Sequence, residues 1–164
     1  MSAIDLPPHR LKIALLQPQI APNTGNIARL CVATGTELHI VRPMGFVLSD
    51  RELKRSAMDY WDRLKLTLHD DTDAFFASAQ STGGTPWLFS TKGGTSLFDT
   101  PFRDGDWLLF GSETRGLSDA LLTTHASTVV RIPQAENERC LNLSTAAGIG
   151  LYAALSRLFS GATR

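Results

Sequence analysis

Six short apolar runs recur along the chain, each bounded by glycine, proline or charged residues: KIALLQ at 12–17, ELHIV at 37–41, LKLTL at 64–68, WLFST at 87–91, WLLFG at 107–111 and TVVRI at 128–132. Runs of this length with β-branched and aromatic residues predict strands. Several are apolar throughout instead of alternating, the pattern of strands covered on both faces of a parallel sheet. The segments between them must then supply helices. The stretch 26–34 places Ile27, Leu30, Cys31 and Thr34 on one face and is closed by Gly35. Ser49 and Glu52 form a capping box for a second helix. Shorter helices are expected at 71–79 and 118–122, and a long one from Ser144 or Thr145 to Leu158, with Ser144 as its cap. Strand and helix alternate over the whole length, which predicts an α/β fold: one mostly parallel six-stranded sheet flanked by helices.

The length of 164 residues fits one domain that buries its own core without disulfides or a structural metal. We expect a domain over 12–158, an N-terminal extension at 1–11 and a short tail at 159–164. Sixteen basic residues balance sixteen acidic ones, so a nucleic-acid partner would have to be held by a local patch. Cys31 and Cys140 form no CxxC pattern and read as reduced thiols, and no zinc site is expected. No signal peptide and no run long enough to span a membrane is visible, so a cytoplasmic protein without membrane contact is expected.

The common nucleotide-binding signatures, GxGxxG after the first strand and GxxxxGK[ST], are absent. The four histidines, His9, His39, His69 and His125, are scattered and read as packed or surface residues. Three polar loops at the ends of apolar runs remain as candidates for chemistry. In PNTGNIAR, Asn23, Asn26 and Arg29 recur at spacing three on a helix start, opposite Ile27 and Leu30. GSETRG, 111–116, follows the fifth run directly, and its glycines let backbone approach a ligand. CLNLSTAAG, 140–148, enters the last helix, where Asn142 and Ser144 offer short polar groups beside free amides. Each loop alone also suits a plain turn or helix cap.

Taken in order, Asn23, Gly25 and Arg29, then GxExxG, then LNLS resemble the three motifs of the SPOUT-class RNA ribose 2′-O-methyltransferases. PNTGNIARLCVATG, RPMGF and FGSETRGL resemble the small members that methylate cytidine or uridine at the tRNA wobble position. The resemblance implies a C-terminal trefoil knot, an exception to the rule that chains do not thread themselves, a homodimer, and S-adenosylmethionine as methyl donor without metal. It implies a cofactor site at Phe89, Gly111, Ile132, Cys140, Leu141 and Ser144. The catalytic set it implies is Asn23, Arg29, Glu113, Asn142 and Ser144, acting on the anticodon stem-loop of tRNA. Two positions depart from the pattern: Cys140 stands where serine is common, and Ser112 where proline is frequent.

Methyl transfer to a ribose hydroxyl needs alignment and help with one proton. A guanidinium is a poor base, so Arg29 suits holding the adjacent phosphate and stabilising charge better than taking the proton. Glu113 is either a base or a loop-fixing acceptor of backbone amides. The basic stretch RELKRSAMDYWDRLK, 51–65, gathers Arg51, Lys54, Arg55, Arg63 and Lys65 around Tyr60 and Trp61. It reads either as an RNA contact with stacking aromatics or as a capped surface helix, with Trp61 in the core. Small residues in the last helix, Ala146, Ala147, Gly150, Ala153 and Ala154, would let a partner helix approach, or pack on their own sheet. The competing functions are a ribose methyltransferase for another tRNA position or ribosomal RNA, and a non-catalytic RNA-binding module.

Overall fold

A computed structural model describes residues 5–48 and 58–160. The expected helix start at Ser49 and Glu52, with Arg51, Lys54 and Arg55, lies outside these residues. The strands are β1 (Lys12–Leu16), β2 (Glu37–Val41), β3 (Leu66–His69), β4 (Pro86–Phe89), β5 (Thr95–Ser96), β6 (Trp107–Phe110) and β7 (Val129–Arg131). They form one parallel sheet in the order β3-β2-β1-β6-β4-β7-β5. The sheet therefore has seven strands, not six. The additional one, β5, is a two-residue edge strand beside β7, too short to leave a hydrophobic pattern in TKGGTS.

The helices are α1 (Ala21–Thr34), α2 (Thr72–Thr82), α3 (Asp119–Thr124) and α4 (Leu143–Phe159). Ile13 and Leu15 of β1 join Ile27 and Cys31 of α1 and Ala147 and Leu151 of α4 in one core. Their neighbours Ala14 and Leu16 face the other way, into a second core with Phe75 and Ala79 of α2 and with Leu121 of α3 against it. Burial on both sides explains why the strand runs do not alternate. The cysteines are free, Cys31 buried and Cys140 exposed, and burial pushes the Cys31 thiol pKa upward.

Two helix starts differ from expectation. α1 begins five residues earlier than 26, at Ala21, with Pro22 in its first turn, where a missing N–H costs nothing. Asn26 is therefore inside the helix, not its cap. The last helix is capped by Asn142, whose Oδ1 accepts from the amides of Ser144 and Thr145, so Ser144 is a first-turn residue. The other two helices follow their caps, Asp71 accepting from Ala74 N and Ser118 from Leu121 N.

The stretch before β1 is tied to the domain over its described residues. Leu11 is buried, Arg10 donates to Asp104 from its backbone and its Nε, and His9 Nε2 lies 2.8 Å from Thr34 O. His39 and His69 are packed residues, buried between Trp107 and Phe75 with 2.9 Å between His39 Nδ1 and His69 Nε2. That bond needs one proton between the facing nitrogens, and protonating both rings would set two N–H donors against each other.

Burial and the neighbouring His69 charge hold His39 down at about 4, against 6.5 for an ordinary histidine, although Glu37, 3.7 Å from Nε2, pulls the other way. His69 is lowered by burial as well. A depressed folded pKa favours the neutral form, so this contribution is fully present above about pH 6.5 and is lost as the pH falls toward about 4. Denaturant titrations from neutral to acid pH should show a loss of about 2 kcal/mol over that window. His39→Val with His69→Val should flatten it. An unchanged acid limb in the double variant would show that the pair does not govern it.

Candidate active site

A cavity of about 480 Å³ opens at the carboxyl ends of β4, β6 and β7. This is where parallel α/β sheets place ligands, because the loops leaving adjacent strands diverge there. Phe89, Ile132, Leu141 and Leu143 give it an apolar wall, and the loop 111–117 forms the facing side. The volume is in the range of small-molecule sites. Of the residues implied by the motifs, Phe89, Gly111, Ile132, Cys140 and Leu141 line this cavity, together with Asn23, Glu113 and Asn142.

One chain of hydrogen bonds joins the three motifs. Asn142 Nδ2 donates to Asn23 Oδ1 at 3.0 Å, and Asn23 Nδ2 donates to Glu113 Oε1 at 3.2 Å. Glu113 also accepts the backbone amides of Gln19 at 2.7 Å and Ile20 at 3.1 Å. Ile20 is the N-cap of α1 and supplies no side-chain cap, so the Glu113 carboxylate serves the start of that helix from another loop. At the other end, Asn142 Oδ1 accepts from both N and Oγ of Ser144. The fold thus uses Asn23, Glu113 and Asn142 to clamp the starts of α1 and α4 to the loop after β6. Glu113 accepts three N–H groups, two of them backbone amides, which is the arrangement expected of a loop-fixing carboxylate.

Gly111 serves this loop in an unexpected way. A Cβ there would lie 2.1 Å from the Gly116 carbonyl carbon and 2.3 Å from Leu117 N. The missing side chain makes room for the loop's own returning backbone, which Gly116 turns with φ +64°.

Arg29 and Ser144 are not brought to the cavity wall. Arg29 is six positions after Asn23, so it lies about 9 Å further along α1 and about 240° around it. Asn23 is buried toward Glu113, whereas Arg29 is exposed, its guanidinium over the Tyr60 ring at 5.3 Å. Asn23 and Arg29 do not share a side, since spacing three drifts around the helix with each step. Trp61 is half-buried against the core, as expected.

Sequence reasoning missed Ser90, Thr91 and Lys92, which line the cavity after β4. Their position at a strand's carboxyl end was the available signal. Lys92 pairs with Asp119 at 2.6 Å, and Arg115 also lines the cavity. Among the described residues no group of three or more His, Cys, Asp or Glu could hold a metal ion, and no helix is long and apolar enough to cross a membrane.

Seven parallel strands with a small-molecule cavity formed by three loops at their carboxyl ends define an α/β ligand-binding fold whose site differs from the P-loop and dinucleotide types. The chain belongs to the SpoU rRNA Methylase family, whose model matches residues 10–152. It is 41% identical over 151 residues to the tRNA (cytidine(34)-2′-O)-methyltransferase of Saccharophagus degradans, covering 91% of this chain and 97% of that one. The enzyme of the same name from Methylovorus glucosotrophus is 42% identical over 143 residues, 87% of this chain and 92% of that one. A solved structure described as giving structural insights into the 2-OH methylation of C/U34 on tRNA superposes with a TM-score of 0.89 at 41% identity, covering 94% of this chain and 99% of that chain. The SpoU methyltransferase AviRb from Streptomyces viridochromogenes, in complex with the cofactor AdoMet, gives 0.84 at 26% identity, covering 96% of this chain and 64% of that chain.

Proposed function

We propose that this protein methylates the 2′-hydroxyl of the ribose at the wobble nucleotide of tRNA, cytidine 34 or a modified uridine 34, with S-adenosylmethionine as donor and without metal. The observation that carries the reading is the hydrogen-bond chain from Asn142 through Asn23 to Glu113, which assembles three separate motifs around one cavity. Identity above 40% over nearly the full length of the two named tRNA relatives favours the tRNA substrate over ribosomal RNA. The motif residues are all present, which disfavours a non-catalytic module.

The cavity fits the donor. Its apolar wall of Phe89, Ile132 and Leu141 suits a purine, and the polar lining residues Ser90, Thr91, Ser112 and Gln134 suit uncharged edges and a zwitterionic tail. When bound there, the donor supplies a sulfonium-activated methyl group that needs no Lewis acid. The residues then divide the work. Glu113, Asn23 and Asn142 hold the loops in register. Arg29 holds a phosphate next to the target ribose and stabilises the developing alkoxide, while the hydroxyl proton leaves to that phosphate or to water.

Arg29 lies outside the cavity of its own chain, which supports an active site completed across a homodimer. The small residues of α4 divide between two settings, Ala146 and Ala153 being half-buried on the face that carries the exposed Ile149 and Tyr152. Ala147, Gly150 and Ala154 are buried in their own chain, and a Cβ on Gly150 would meet the Phe89 ring at 2.8 Å. The exposed apolar residues Ile20, Ile149 and Tyr152, with Ala146 and Ala153, offer the surface for a second copy.

The test is incubation of the protein with labelled S-adenosylmethionine and unmodified tRNA in EDTA, followed by mapping of the modified nucleoside. A 2′-O-methyl group at position 34 is expected. Label at another position, in ribosomal RNA only, or only when a divalent ion is restored would overturn the corresponding part of the proposal.

A further inference from the structure

Tyr60 sits in the 3-10 helix Met58–Arg63, which packs against α1. Its half-buried ring carries two guanidiniums, with the Cζ atoms of Arg29 and Arg63 at 5.3 and 5.0 Å from the ring centroid. Both arginines are exposed, and neither guanidinium forms an ion pair or hydrogen bond with a described residue. Two like charges gathered on one ring, each with its N–H edges unspent among the described residues, repel one another unless an anion lies between or beside them. The ring offsets part of that cost by cation–π attraction and removes rotamer freedom from two long side chains.

We propose that Tyr60 is a positioning residue which holds Arg29 and Arg63 as a paired clamp for the phosphodiester backbone of the substrate RNA. This rests on the reading of Arg29 as the substrate arginine. The chemistry matches because a guanidinium lying over an aromatic ring keeps its N–H donors free at the edge, where they reach phosphate oxygens in bidentate fashion. Two adjacent clamps suit two phosphates of a single strand, and so fix the register of the nucleotide between them. With both guanidiniums over its ring, Tyr60 serves the arginines and not a stacked base. A protein with no net charge gains local affinity for RNA in this way without a basic surface.

The clamp is tested with Arg63→Ala, Tyr60→Phe and Tyr60→Leu in the full-length protein. The readouts are KM and kcat for tRNA at several salt concentrations, with S-adenosylmethionine affinity and thermal midpoint as controls. Arg63→Ala should raise KM about tenfold and reduce the log–log salt slope by about one phosphate contact, with cofactor affinity unchanged. Tyr60→Phe, which keeps the ring face, should stay within about twofold of the parent. Tyr60→Leu should raise KM and also lower kcat about tenfold, because Arg29 loses its orientation.

Normal KM and salt slope in Arg63→Ala would overturn the clamp, as would equal damage from Tyr60→Phe and Tyr60→Leu. If Tyr60→Leu does not fold, Arg63→Ala and Tyr60→Phe still decide. An active Arg29→Ala would show that the reading of Arg29 itself is wrong. An inactive Arg29→Ala beside unaffected Arg63 and Tyr60 variants would refute the clamp alone.

Discussion

Arg29→Ala is expected to lower methyl transfer by about a hundredfold or more while leaving S-adenosylmethionine binding unchanged. The residue is exposed, touches no part of the cofactor cavity of its own chain, and its loss creates no buried void. Calorimetry of cofactor binding alongside single-turnover methylation separates the two effects. Arg29→Lys should rescue little, because an ammonium keeps the charge but loses the planar fork that grips a phosphate through two hydrogen bonds. A variant with normal turnover would remove Arg29 from the mechanism.

The same variant tests the proposed homodimer. Leu141→Asp places a carboxylate in the apolar wall of the cavity and should abolish cofactor binding on its own chain. A heterodimer of Arg29→Ala with Leu141→Asp then holds one intact cavity, in the first chain, and one intact Arg29, in the second. Activity in verified heterodimers, absent from either parent, is the outcome expected if the two groups act across the interface. Inactive heterodimers would place both groups in one subunit.

Gly111→Ala is the second large effect, and it falls on the fold before it falls on the ligand. The added carbon would sit 2.1 Å from the Gly116 carbonyl carbon and 2.3 Å from Leu117 N, closer than any non-bonded contact allows, and both of those atoms belong to backbone with little room to move. A loss of about 3 kcal/mol or more is expected, read as a lowered denaturation midpoint, together with lost cofactor binding, because the loop 111–117 is one side of the cavity. Gly148→Ala is the control. Its Cβ would meet only Leu30 Cδ2 at 4.0 Å, and the substitution in mid-helix should be neutral or stabilising by about 0.5–1 kcal/mol. If Gly111→Ala folds normally and loses only cofactor affinity, direct crowding of the ligand is the cause instead.

The sequence by itself determined the layered α/β architecture, because a strand covered on both faces needs apolar residues at both parities, and KIALL and WLLF supply them. It also located the three loops that meet at the cavity, since in a parallel sheet every loop after a strand emerges at the same edge. Shorter-range features were less legible. The two-residue β5 has no periodicity of its own and exists because its backbone finds β7 beside it. α1 starts before its polar residues because a carboxylate ninety-odd residues away, on Glu113, satisfies the amides that a local cap would otherwise serve. Spacing along one helix suggested that Asn23 and Arg29 act together. Only the tertiary structure sent Asn23 inward to Glu113 and Asn142 and left Arg29 outward on Tyr60, for those partners lie on other elements and no local rule encodes their approach. Patterning is a property of neighbours in the chain, whereas a hydrogen-bonded site is built from groups that meet only after the sheet has ordered its strands.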